Sequence, residues 1–132
     1  MVDIEFRIWD ELKKKMWQPE NVATLDFDSK CAWIKERYKG GHWVYFKNAK
    51  LLQYTGFQDK NGIKIFDGDI IRVNRLTFDS SGPLPENLII RFYNGMFQLF
   101  RGGMCLHGLH LIYIEDGEVI GNVYENADLV AV

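Results

Sequence analysis

Two short segments carry the side chains most able to bind a metal ion or to transfer protons. Cys105, His107 and His110 are close in sequence, and in an extended strand Cys105 and His107 would share a face. Asp67 and Asp69 flank a glycine and could hold a divalent cation or act as an acid–base pair. Both sets have fewer ligands than a metal site requires, so packing and a turn are the favoured interpretations. Without a nucleophile elbow or a glycine-rich phosphate loop, the sequence predicts neither an enzyme nor a cofactor.

The stretch 30–50 mixes cations with aromatic rings. Its cations are opposed in sequence only by Glu36. Cations and rings alternate in the order Lys30, Trp33, Lys35, Arg37, Tyr38, Lys39, Trp43, Tyr45, Phe46, Lys47 and Lys50. Such alternation is typical of proteins that bind single-stranded nucleic acid.

The register of this stretch decides between binding and packing. A two-residue turn at Gly40-Gly41 would part most rings from the cations. One face would carry Trp33, Lys35, Arg37, Lys39, His42, Val44 and Phe46, and the other Ile34, Glu36, Tyr38, Trp43, Tyr45 and Lys47. This register favours an aromatic core face backed by a solvated basic one. The alternatives are a protein contact and a nucleic-acid site formed by Trp33, Lys35, Arg37, Lys39 and Phe46.

Charge is distributed unevenly along the chain. The formal net charge is −2, but residues 1–66 contain 12 Lys+Arg and 9 Asp+Glu, whereas residues 67–132 contain 4 and 9. The stretch 115–128 has five acidic residues and no basic one, opposite in sign to the stretch 30–50. Complementary patches of this kind can pair between subunits, which predicts a homo-oligomer.

Composition predicts a mainly β protein of the cytoplasm. The chain has 132 residues, and its 14% aromatic content suits half-buried pleated surfaces. Two cysteines are too few for a disulfide framework, and the charged stretch Val2–Arg7 lacks the apolar core of a signal peptide. Because no run reaches the ~20 apolar residues of a membrane span, we predict no membrane association.

Short apolar runs separated by turn residues mark the strands. Ile4–Trp9 alternates with period two and returns at Met16-Trp17, which predicts an N-terminal hairpin. Asn61-Gly62 and Asn94-Gly95 are strong hairpin signals. Further strands are expected at 22–27, 32–38, 42–46, 50–54, 63–66, 70–73, 88–93, 96–100, 109–114 and 118–124, with a long loop at 77–87 and at most one helical turn at 125–129. This spacing predicts a small β-barrel or roll with little helix.

Three segments, in order along the chain, carry a recognisable pattern. They read IEFRIWD at 4–10, LQYTGFQDKNG at 52–62 running on through FDGDI at 66–70, and EVIGNVYEN at 118–126. Together they resemble the YopX family of phage and prophage proteins, from which Phe57, Asp67 and Ala127 are mild departures. The resemblance implies an SH3-like barrel in the C-terminal part, a prophage origin and a cytoplasmic location. Since the family is uncharacterised, it implies no activity.

The polar residues of these segments either form a shared binding surface or hold turns. They are Gln53, Tyr54, Thr55, Gly56, Asp59, Asn61, Asp69, Asn122, Tyr124, Glu125 and Asn126. Asn, Asp and Thr commonly satisfy loop backbone donors, whereas a turn needs neither Gln53 nor Tyr124, so both interpretations stay open.

These observations predict a non-catalytic binding or assembly module whose partner is a protein. Nucleic-acid binding through the stretch 30–50 is the alternative. We expect a β-rich extension, including the N-terminal hairpin, at 1–49 and the barrel at 50–132, or else one continuous domain over 1–132.

Overall fold

The chain is mainly β, as predicted. In the computed structural model, residues 3–74, 85–109 and 117–130 are described. In this part the strands are β1 Phe6–Asp10, β2 Lys15–Trp17, β3 Val22–Asp26, β4 Cys31–Glu36, β5 Gly40–Tyr45, β6 Ala49–Gln58, β7 Lys64–Phe66, β8 Asp69–Val73, β9 Glu86–Tyr93, β10 Met96–Arg101, β11 Met104–Gly108 and β12 Glu118–Asn122. Short 3-10 turns at Pro19–Asn21, Phe46–Asn48 and Ala127–Leu129 are the helical elements of the described residues. The sheets curl, in agreement with the predicted small β-barrel or roll.

The chain divides into two compact units, Met1–Tyr54 and Thr55–Val132. Strand β6 begins in the first unit and ends in the second, so the boundary falls inside a strand. The expected boundary at 49/50 lies at the start of that strand. The SH3-like description of the second unit stays a prediction.

Two antiparallel sheets build the first unit. Strand β1 pairs with β2 in the predicted N-terminal hairpin and with the first half of β6, while β3, β4 and β5 form a separate sheet. Both sheets contribute to one buried cluster, formed by Ile8, Trp17, Ala32, Ile34, Val44 and Ala49. The β3–β4–β5 sheet therefore turns one face to the core.

A five-stranded sheet in the order β11-β10-β9-β8-β12 dominates the second unit. Its buried cluster is Ile65, Ile71, Val73, Leu88, Ile90, Leu99 and Leu109. The predicted Asn94-Gly95 hairpin is confirmed, because Tyr93 pairs with Met96 and both turn residues have positive φ, 50° and 85°. The Asn61-Gly62 turn is present within a wider loop, in which only Gly62 has positive φ and the Asp59 N–H donates to the Ile63 carbonyl.

The structure corrects the predicted turn between β4 and β5. Glu36 pairs with Gly40, so the chain reverses at Arg37–Lys39 and not at Gly40-Gly41. Gly41 is a strand residue, and a Cβ there would lie 2.5 Å from the Trp33 ring. This glycine makes room for an indole ring of the neighbouring strand.

Strand β11, Met104–Gly108, was not predicted from the sequence. Of the strand predicted at 109–114, Leu109 follows β11 outside regular structure. The rest of that prediction, including His110, lies outside the described residues, as does most of the loop predicted at 77–87. The strand expected at 32–38 is β4, Cys31–Glu36, and the helical turn expected at 125–129 is the 3-10 turn Ala127–Leu129.

Candidate functional site

The outer face of the β3–β4–β5 sheet brings aromatic rings and a cation together. Trp33 lies opposite Trp43 across the β4–β5 ladder, and Cys31 lies opposite Tyr45. Opposite residues of an antiparallel ladder point to the same side, and Lys35 follows Trp33 with the strand period of two. The observed register therefore unites Trp43 and Tyr45 with Trp33 and Lys35, which the predicted register had separated. We call Trp33, Lys35, Trp43 and Tyr45 the aromatic–basic face.

The rings of this face are available to a partner. Trp43 is 46% exposed and Tyr45 is 51% exposed, and Lys35 is also exposed. Trp33 is half-buried and meets Trp43 edge to face, with ring centroids 5.1 Å apart and planes inclined by 69°. Trp33 thus holds the Trp43 ring in place while about half of the Trp43 side chain stays exposed.

Cations border the aromatic–basic face at both ends. At the β4–β5 turn, Tyr38 is 90% exposed and the Arg37 guanidinium lies 5.2 Å from its ring centroid, with Lys39 exposed beside them. At the other end, exposed Lys30 and Lys47 line an open concavity of about 480 Å³, together with Ser29, Tyr45 and Phe46.

Few acidic groups accompany these cations. Glu36 points to the opposite side of the sheet, where its carboxylate lies 3.7 Å from the His42 Nδ1 atom. Asp26 lies opposite Cys31, and its carboxylate accepts the Asp28 and Ser29 N–H groups at 3.0 Å. The Ser29 N–H bond is the main reason why the pKa of Asp26 is lowered.

The residues predicted for nucleic-acid contact separate into three groups. Trp33 and Lys35 lie on the aromatic–basic face, whereas Arg37 and Lys39 lie in the turn at its end. Phe46 instead packs against the core of the first unit, with its ring centroid 6.0 Å from that of Phe27. The sequence interpretation placed Trp43 and Tyr45 on the buried side. A three-residue loop closed by the glycine at position 40 would have indicated the observed register.

Asp59 organises the loop after β6. Its carboxyl is buried, and Oδ1 accepts the backbone N–H groups of Asn61 at 2.8 Å and Ile63 at 2.9 Å. Oδ2 accepts the Val119 N–H at 2.9 Å, which ties this loop to the start of β12. All of these contacts are structural.

Asn122 performs the same role in the turn after β12. Its buried Oδ1 accepts the N–H groups of Tyr124 and Glu125, at 3.0 and 2.9 Å, and its amide nitrogen donates to Glu125 Oε1 at 2.9 Å. The Asn126 side chain in turn accepts the Asn122 N–H at 3.2 Å. A Cβ at Gly121 would lie 2.5 Å from the Asn126 side-chain oxygen, so a larger residue there would displace the Asn126 side chain.

The carboxylates considered as a proton-transfer pair also serve a turn. Asp69 is buried and its Oδ2 accepts the Phe66 N–H at 2.8 Å, while Asp67 Oδ1 accepts the Phe92 N–H at 3.3 Å. Burial raises the pKa of Asp67, and the Phe92 bond partly opposes that effect. Between them, Gly68 has φ of +89°, and a Cβ there would lie 2.9 Å from the Tyr124 ring.

The remaining polar residues of the three family-like segments divide by exposure. Thr55 Oγ1 donates to the Ile65 carbonyl at 2.8 Å and accepts the Phe57 N–H at 3.1 Å, and Gly56 has φ of +90°. Tyr54 is buried. The exposed members are Gln53, Gly56, Asn61 and Glu125.

The described residues contain no cluster of three or more His, Cys, Asp or Glu side chains with metal-binding geometry. Cys31 is a buried free thiol and Cys105 an exposed one, whose Sγ lies 2.8 Å from Gln98 Oε1. Within the same described part of the chain, no helix is both long enough and apolar enough to cross a membrane.

Comparison with protein families assigns the chain. The family model for the YopX protein matches residues 5–131. The chain belongs to the YopX family. No curated protein matches the sequence.

Solved structures support the YopX fold. The crystal structure of protein EF1440 from Enterococcus faecalis is 24% identical, covers 99% of this chain and 100% of its own, and has a TM-score of 0.66. The crystal structure of protein yopX from Bacillus subtilis is 19% identical, covers 100% of this chain and 98% of its own, and has a TM-score of 0.65. At these identities the likeness is one of fold.

The aromatic–basic face lies outside the three segments that carry the YopX resemblance. Those segments end at residue 10 and resume at residue 52, whereas the face is built from residues 33–45. The face lies within residues 5–131, which the YopX family model matches, between the first two of those segments.

Proposed function

We propose that this YopX protein is a non-catalytic binding module whose working surface is the aromatic–basic face. The observation that carries the proposal is that Trp43 and Tyr45 stay about half exposed beside Lys35 on one sheet face. Tyr and Trp combine a large apolar surface with a polar atom, which suits them to interfaces. Adjacent exposed rings with a polar rim are typical of interaction sites.

The family-like segments offer less support as the working surface. The side chains of Asp59, Asn122 and Thr55 satisfy turn donors of their own unit, so these groups are already hydrogen-bonded. A binding surface made of them would compete with the turns. We also propose a prophage origin and a cytoplasmic location, both based on the family resemblance.

Tagged full-length protein should be recovered from cells in which the prophage is induced, as wild type and as Trp43→Ala/Tyr45→Ala. We expect the double variant to lose the binding partner that is recovered with the wild-type protein. Ile63→Ala is the matched control, because Ile63 is 49% exposed and belongs to the second unit. Retention of every captured component by the double variant would contradict the proposal.

A second candidate is a protein contact through the second unit. Around the β9–β10 hairpin the exposed apolar side chains are Phe92, Tyr93, Met96 and Met104, each about half exposed. Aromatic residues and Met are enriched in protein interfaces, where charged residues are depleted. If Tyr93→Ala abolishes capture and the double variant of the first unit does not, this candidate replaces the first.

The predicted homo-oligomer also stays a proposal. It is supported by the opposite charges of the stretches 30–50 and 115–128. Light scattering should show a species larger than the monomer at low salt that shrinks as salt is added. A monomer at high protein concentration and low salt would contradict it.

A further inference from the structure

We infer that the aromatic–basic face binds single-stranded nucleic acid. This inference rests on the proposed function, which identifies the face, and adds the chemical class of its partner. Three properties of the face support it: its charge, the spacing of its rings and the cations at its two ends.

The charge of the face suits a polyanion. Residues 30–47 contain five cations, Lys30, Lys35, Arg37, Lys39 and Lys47, and one acidic residue, Glu36. The acidic residues nearest to them in β3 and its turn, Asp26 and Asp28, are fewer than these cations. Because Glu36 points to the other side of the sheet, its charge does not oppose the cations on the outer face. Lysine and arginine near a phosphate backbone release condensed counterions, which gives affinity that does not depend on sequence.

The rings are placed to stack on successive bases. Trp43 and Tyr45 are two residues apart on one strand, which separates them by about 7 Å along β5. An extended single strand can offer neighbouring bases at such a separation. Open sheet faces with exposed rings bind unpaired bases by stacking in RNA-recognition domains, and stacking tolerates every base because each base has a π-face.

The cations flank the rings where phosphates would pass. Lys35 lies on the face itself, Arg37 and Lys39 lie at the turn, and Lys30 and Lys47 line the concavity beside Tyr45. A strand running along β5 would meet cations before Trp43, at the turn and at Lys35, and again after Tyr45, at Lys30 and Lys47. Paired bases are stacked inside a duplex, so this arrangement predicts preference for single strands over duplex.

A purified protein and a fluorescein-labelled oligothymidylate test this inference directly. Anisotropy titrations of the full chain between 50 and 200 mM salt should show affinity that falls as salt rises. Neutralisation of three or four phosphates predicts a slope of about −2 to −3 in log K against log salt. Tyr45→Ala should weaken binding by roughly 5- to 150-fold, the usual effect of removing one stacking ring.

Matched variants control for general charge and folding. Ile63→Ala removes a similarly exposed apolar side chain, 49% exposed, from the second unit outside both candidate surfaces and should leave affinity unchanged. Lys35→Gln should weaken binding and reduce the salt slope, whereas Lys60→Gln, which removes the same charge from the second unit, should do neither. Trp43→Phe should retain more affinity than Trp43→Ala, because a ring is kept. Circular dichroism verifies that each variant is folded.

The outcomes separate the inference from the proposed function. Absence of oligonucleotide binding at low salt, binding that is insensitive to salt, or equal losses in Tyr45→Ala and Ile63→Ala would each overturn the inference. Capture from cells that depends on Trp43 and Tyr45 but survives nuclease would identify a protein partner. In that case the proposed function stands and the nucleic-acid inference fails.

Discussion

Asp59→Ala should destabilise the second unit strongly, because one buried carboxylate satisfies three backbone donors. Asn61, Ile63 and Val119 donate to it at 2.8–2.9 Å. An N–H group left without a partner costs about 1–3 kcal/mol when buried and less where water reaches it. These donors are partly buried, so we expect a total loss of about 3–5 kcal/mol, or a fall in Tm of about 10 to 20 °C.

Two further variants sharpen this prediction. Asp59→Asn keeps one acceptor oxygen but turns an amide N–H toward the Val119 N–H. We therefore expect the free energy of unfolding to fall by about 1–3 kcal/mol. Asp26 accepts two N–H groups at 3.0 Å in an exposed turn of the first unit. Asp26→Ala should therefore cost less than Asp59→Ala, because water can replace its carboxylate.

Urea unfolding followed by far-ultraviolet circular dichroism measures these changes. All four tryptophans lie in the first unit, so indole fluorescence reports that unit alone. Hydrogen exchange of the Asn61, Ile63 and Val119 amides reports the second unit. The reasoning is refuted if Asp59→Ala costs no more than Asp26→Ala, or if the Val119 amide keeps its protection in Asp59→Ala.

Three other substitutions test the turns of the second unit. Gly68→Ala should cost more than Gly95→Ala in urea unfolding, because both glycines have positive φ but only at Gly68 would a Cβ meet the Tyr124 ring. Asp67→Asn should stabilise the protein at neutral pH, because burial raises the folded-state pKa of Asp67. The protonated carboxyl therefore contributes its full stability below about pH 3.8, and that stability is lost as the pH rises through the raised pKa. The gain over wild type should therefore vanish on acidification, and a gain that is equal at pH 3 and pH 7 would contradict that cause. Thr55→Val should cost about 1 kcal/mol through two lost hydrogen bonds, and an unchanged urea midpoint would exclude that role.

Local signals predicted the hairpins whose turns depend only on their own residues. Asn94-Gly95 forms a two-residue turn because both residues adopt positive φ, a preference encoded in the dipeptide. The helical turn at Ala127–Leu129 and the strand character of β4 follow from equally local patterns.

Other features depend on contacts between residues far apart in sequence. Gly41 reads as a turn residue, but it occupies a strand because the Trp33 ring needs the space that a side chain would fill. Asp59 reads as part of a tight turn, but its second oxygen holds Val119, sixty residues away. Neither role can be read from neighbouring residues. The place of Gly41 in β5 goes with the register in which Trp33 lies opposite Trp43, and that register sets which rings share a face.

The polar side chains of the YopX segments stabilise turns, whereas the aromatic–basic face presents exposed side chains. Asp59, Asn122 and Thr55 direct their polar atoms to backbone groups, so the pattern that reveals the family is the pattern that fixes its turns. Side chains engaged in this way specify a fold without specifying a partner. Trp43 and Tyr45 lie between two of these segments on a sheet whose other face is buried, so their exposure is compatible with a stable core. In this chain the satisfied turns therefore leave the outer face of the β3–β4–β5 sheet available, and we propose that its partner be sought from the residues on that face.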